Sequence, residues 1–124
     1  MELTRVAILE ADDLQIKAIE VPEWGGVTYV RTINAADYAK FVKSNVDADG
    51  NATMDNYIAR YCVFAICDSK GDRLFTDNDA VALGQKYAQV MAQIYDEAKR
   101  LNGGDIEELE KNSETAQSGD SVSD

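Results

Sequence analysis

The sequence predicts an α+β fold: a small single domain over residues 1–104, with a β-hairpin and a long amphipathic C-terminal helix, followed by a disordered acidic tail over 105–124. Three observations predict it. Residues 14–33 alternate apolar and polar side chains around a Pro/Gly turn. Residues 80–101 set apolar side chains at three- and four-residue steps. From Asp105 onward no aromatic residue occurs, and seven acids stand against Lys111. A length of 124 residues suits one domain with one modest core, needing neither disulfide nor metal.

Leu3, Val6 and Ala7 have the spacing of a short helix, which Asp12 and Asp13 disfavour at its negative end. The hairpin follows. Its first arm runs from Leu14 to Val21, and its alternation slips at Ala18-Ile19, the mark of a bulge. Pro22-Glu-Trp-Gly-Gly26 is the turn, and Val27 to Ile33 is a β-branched and aromatic second arm. Asn34 caps a helix whose apolar face is Ala35, Tyr38, Ala39 and Val42, ending near Asn45; residues 46–51 are a loop.

Residues 57–67 are almost continuously apolar. Their β-branched and aromatic content favours a strand over 61–67, with a helix starting near Asp55 as the alternative. The turn Asp68-Ser-Lys-Gly-Asp72 and the pair Leu74-Phe75 suit a hairpin there. Thr76 and Asp79 form a capping pattern. The helix over 77–102 carries Ala80, Leu83, Tyr87, Val90, Ile94, Ala98 and Leu101 on one stripe, widened by Val81, Met91 and Tyr95, and stops at Asn102-Gly-Gly104.

Composition excludes whole classes of function. The chain has no histidine, hence neither the commonest general base nor the commonest metal ligand. A net charge of −11 opposes binding to nucleic acid or to an anionic membrane surface. No apolar run is long enough to span a bilayer, and Met1-Glu-Leu-Thr-Arg5 lacks the blocks of a signal peptide. Cys62 and Cys67 read as small buried hydrophobes in a reducing compartment. Asp47-Ala-Asp-Gly-Asn51 resembles the start of a calcium loop, but Ala52 and Ile58 stand where glycine and a bidentate glutamate belong. Asp68, Asp72, Asp77 and Asp79 fit a turn, a helix start and solvent better than a cation. No catalytic residue, cofactor site or metal site is expected.

Four residues are candidates for partner binding. Trp24, beside two glycines, either anchors a partner or folds back on the core. Gly84, with Ala88 one turn on, makes a smooth patch that another backbone or a second copy can approach, so self-association is one expectation. Ile106 and Leu109 are the only helically spaced apolar pair of the tail.

The ordered groupings Val21-Pro-Glu-Trp-Gly-Gly26, Val30-Arg31, Asp68-Ser-Lys-Gly-Asp-Arg-Leu-Phe75, Asp79, Ala82-Leu-Gly-Gln-Lys86 and Leu101-Asn102 resemble the tail assembly chaperone family of long-tailed, siphovirus-type bacteriophages. The resemblance spans residues 14–102. The loop at 46–53 and the segment 57–67 depart from the family pattern. The resemblance implies a non-catalytic protein of the host cytoplasm, absent from the finished virion. Such a protein binds the long helical tape measure protein and keeps it soluble until tube subunits assemble around it. It also implies, in many relatives, a ribosomal frameshift that adds an extension recruiting the tail tube protein. Glu110-Lys-Asn112 can be encoded by an A-rich slippery stretch. The competing readings are a structural minor tail component and a small acidic bacterial adaptor.

Overall fold

Alternation, capping and turn chemistry place the chain's elements in sequence, and a computed structural model describes residues 1–104. Ile106, Leu109 and the acidic tail lie outside the described residues. The order is α1 (Arg5–Glu10), β1 (Ile16–Val21), a 3₁₀ turn (Pro22–Trp24), β2 (Gly26–Arg31), α2 (Ala35–Lys43), α3 (Tyr57–Ala65), β3 (Ile66–Cys67), a 3₁₀ turn (Asp77–Asp79), α4 (Ala80–Leu83) and α5 (Ala88–Leu101). The sheet is antiparallel in the order β1-β2-β3.

The hairpin forms where alternation predicts it, closed by Pro22 at the start of the 3₁₀ turn and by Gly25 in left-handed backbone, φ 75°. Its register runs without interruption from Ile16↔Arg31 to Val21↔Gly26, so the expected bulge is absent. The slip at Ala18-Ile19 has another cause: Ile19 and Val21 are buried, whereas Ile16 and Ala18 lie on the opposite, exposed face. The inward face packs on α5, where Lys17 meets Glu97 at 2.5 Å. That hydrogen bond holds the Glu97 carboxyl below its usual range.

Asn34 caps α2, its side chain accepting from the Asp37 amide at 2.8 Å. The buried face of α2 is not the one expected. Phe41 is buried, and Tyr38 and Val42 are exposed. Phe41 turns inward because an aromatic cluster awaits it, with Tyr57 and Tyr61 packed edge-on at 5.3 and 5.1 Å.

Residues 57–65 are a helix, which corrects the strand reading of 61–67; only Ile66–Cys67 pair as a strand. Its sequence shows no amphipathic stripe because it is covered all round. Ala59 and Tyr61 to Ala65 are all buried among α2, α4 and α5. Cys62 and Cys67 are free and buried.

The expected continuous helix over 77–102 is broken. The Thr76 amide donates to Asp79 at 2.7 Å, as the capping pattern predicts, but α4 ends after one turn at Gly84 and α5 begins at Ala88. The break has a visible cause. The Asn56 side chain donates to the Ala80 carbonyl at 2.8 Å and lies so close to Gly84 that a Cβ there would collide with its amide. Gly84 is therefore the cap of a short helix, packed against Asn56, and not an interior position of a long one. Beyond the break the stripe behaves as expected, with Val90, Met91, Ile94 and Ala98 buried and Gly103 left-handed after Asn102.

Candidate partner-binding surface

Three arginines fix α3 in place. Arg31, at the end of β2, is buried. It donates to the Phe64 carbonyl at 3.1 Å, to the Gly71 carbonyl at 3.3 Å and to Asp37 at 2.8 Å. Arg73 donates to the Val63 carbonyl at 3.0 Å, lies over the Phe64 ring and pairs with Asp77. These bonds satisfy carbonyls that the end of a helix leaves open. Arg60 gathers the preceding loop, donating to Ser44, Asn45, Thr53 and Asp55. A bridge between Val46 and Ala52 closes the same loop.

With its loop held, Met54 is pushed outward and stands 72% exposed. It forms one lip of a groove of about 310 Å³ between the first turn of α3 and the α4–α5 bend. Ile58, Ala59, Ala88 and Met91 form the apolar lining, and Gly84 and Lys86 lie along the bend. Two methionines give such a groove side chains that adapt to an apolar ligand. Cys62 is pushed up to about 12 by burial, and burial also raises Tyr61. The Asp47 carboxylate is engaged by the amides of Asp49 and Asn51 and that of Asp68 by those of Lys70 and Asp72, whose bonds lower the Asp68 pKa. Among the described residues no group of three His, Cys, Asp or Glu side chains can hold a metal ion. No helix among them is long and apolar enough to cross a membrane.

The predicted residues fall unevenly. Trp24 stands 37% exposed at the hairpin tip, with Lys86 over its ring at 5.8 Å, so Lys86 links it to the groove. Gly84 lines the groove, though its near surface is taken by Asn56. Sequence reasoning missed Met54, Ile58 and Met91 as a group. The signal for Met54 was there, a lone large apolar residue in a polar loop. The spacing of Leu3, Val6 and Ala7 did signal α1, but not that it buries none of its residues and leaves Val6, Ile8 and Leu9, with Leu3 just before it, more than half exposed.

The family model for the phage tail assembly chaperone matches residues 2–116. No curated relative matches in sequence. Among solved structures, that of the bacteriophage HK97 tail assembly chaperone aligns with a TM-score of 0.58 at 17% identity, over 78% of this chain and 89% of that one. At that identity the likeness is one of fold.

Proposed function

Because the chain belongs to the phage tail assembly chaperone family, we propose that it binds the tape measure protein and keeps it soluble while tail tube subunits assemble around it. The observation that carries this reading is the family match over residues 2–116. The physics of the surface is compatible with it. The groove at Met54, Ile58 and Met91 suits the apolar face of an amphipathic helix, a recurrent mode of recognition that needs no catalytic group. Trp24, beside Lys86 at the rim, supplies a rigid aromatic anchor. Net charge keeps the loaded protein apart from its copies.

In this reading the protein works in the host cytoplasm by binding alone, residues 1–104 are the folded unit, and Ile106 and Leu109 add contacts outside it. A frameshift near Lys111 joins the same unit to an extension that gathers tube subunits. Co-expression with the tape measure protein of the same phage tests the central claim. The expected result is a higher soluble yield of tape measure and its co-purification with this chain. An unchanged yield with no co-purification overturns the reading.

A further inference from the structure

The corner where α5 meets the start of the hairpin is tied by a side chain that chemistry can undo. Of the chain's asparagines only Asn102 is followed by glycine. That setting makes an asparagine labile, because the glycine nitrogen has no neighbouring Cβ to hinder its attack on the Asn Cγ. Here the glycine is not optional. Gly103 takes left-handed backbone, φ 88°, to close α5, a conformation that a side chain disfavours. The turn that ends the helix therefore sets a labile pair where the domain is tied together.

The folded chain guards the pair in three ways. The Asn102 side chain is held: its oxygen accepts from the Ile33 N–H at 2.8 Å, and its nitrogen donates to the carbonyls of Arg31 at 3.2 Å and Ala98 at 2.8 Å. The attacking nitrogen is held too, Gly103 donating to the Arg100 carbonyl at 3.1 Å. The backbone of Asn102, φ −91° and ψ 14°, turns that nitrogen away from Cγ. The Gln15 amide donates to Thr32 Oγ1 and its carbonyl accepts from the Thr32 amide, both at 2.9 Å, which fixes the root of the N-terminal arm beside Ile33. Opening this corner frees the side chain and the attacking nitrogen together.

We propose that Asn102 is a self-modification site, silent in the folded domain and converted by deamidation once this corner opens. The Gly103 nitrogen gives its proton to hydroxide and bonds to Asn102 Cγ. The Cγ–Nδ2 bond breaks, and Nδ2 leaves as ammonia after taking a proton from water. Water then opens the cyclic imide and leaves aspartate or isoaspartate at position 102. Nothing is oxidised or reduced; asparagine and water give aspartate and ammonia. The product does not fit the corner. A carboxylate has no N–H for the carbonyls of Arg31 and Ala98 and sets its negative charge against them. Isoaspartate also lengthens the main chain by a methylene. A chain that has opened and converted therefore cannot close as before. The inference concerns the chain alone and does not depend on tape measure binding.

Incubation of the full chain at mildly alkaline pH, folded in one sample and unfolded by guanidinium chloride in another, tests it. Peptide mass mapping and enzymatic methylation of isoaspartate are the readouts. In the unfolded sample the peptide holding Asn102 is expected to gain the mass difference between an amide and a carboxyl, and to accept methyl groups; the folded sample is expected to keep its amide. Unfolded Gly103→Ala is expected to convert more slowly, because its Cβ hinders the nitrogen. Converted chain returned to native buffer is expected to melt lower than unconverted chain carried through the same steps. Asn102→Asp is expected to melt lower than the natural chain or to fail to fold. Retention of Asn102 in the unfolded chain overturns the proposal. So does conversion as fast in the folded sample as in the unfolded one, an unslowed Gly103→Ala, or a converted chain or Asn102→Asp variant that melts with its control.

Discussion

At its C-terminal end α3 hands its carbonyls to side chains, Val63 to Arg73 and Phe64 to Arg31, and Asn102 ties the end of α5 to the same corner. At its N-terminal end, Asn56 sits in left-handed backbone, φ 51°, with no side-chain cap, and Met54 and Ile58 face an open groove. One pole is sealed by polar bonds that nearly all stay inside the molecule. The other is apolar and unfilled. The contrast yields an expectation: substitutions at the sealed pole cost stability, whereas substitution of the exposed Met54 at the open pole leaves stability nearly unchanged.

The comparison breaks first at Arg31. Arg31→Ala strands the Asp37 carboxylate and the carbonyls of Phe64 and Gly71 together, and removing one member of a buried charged pair costs about 3–5 kcal/mol. Chemical denaturation is expected to show that loss; a change within the scatter of surface substitutions would dissolve the distinction between the poles. A smaller effect belongs to the bend. Gly84→Ala forces a methyl against Asn56 and is expected to cost about 1–3 kcal/mol. Adding Asn56→Gly, which suits the left-handed backbone there, should recover most of that loss in a double-mutant cycle. Strict additivity would show that Asn56 is not what Gly84 accommodates.

Near pH 9, just above the ordinary thiol value, the smallest effect sharpens the comparison through pH. The folded chain keeps the Cys62 thiol neutral to about 12 because it is buried. In the unfolded chain it ionises from about pH 8.5, so the unfolded state then binds fewer protons. The stability is full below that value and falls as pH rises toward the folded one, by about 1.4 kcal/mol per pH unit for this group. Thermal melts of Cys62→Ala should show a shallower alkaline slope than those of the natural chain; equal slopes would remove Cys62 as the cause.

The parts of the fold that local chemistry dictates were readable in advance. Pro22 and Gly25 turn the hairpin, Asn34 caps α2, Asp79 answers Thr76, and Gly103 closes α5. What stayed hidden is what distant residues decide. The run Tyr61 to Cys67 has strand composition, but burial on every side erases the periodicity that marks a helix. Leu83, Tyr87 and Val90 keep helical spacing across a bend imposed by Asn56, some thirty residues upstream. For the same reason the groove was only partly legible. Trp24 and Gly84 signalled themselves as single residues, whereas Met54, Ile58 and Met91 mean something only once α3 and α5 lie side by side.

Asn102 has a consequence for handling the protein. Its amide accepts from the Ile33 N–H at 2.8 Å and donates to the carbonyls of Arg31 and Ala98, which pins the last turn of α5 beside the root of the N-terminal arm. The start of the hairpin and the end of α5 therefore lie side by side. An affinity handle or a fluorophore attached directly after Gly104 is joined at the end of α5 remote from Ala88 and Met91, so it is expected to leave the groove open for binding measurements.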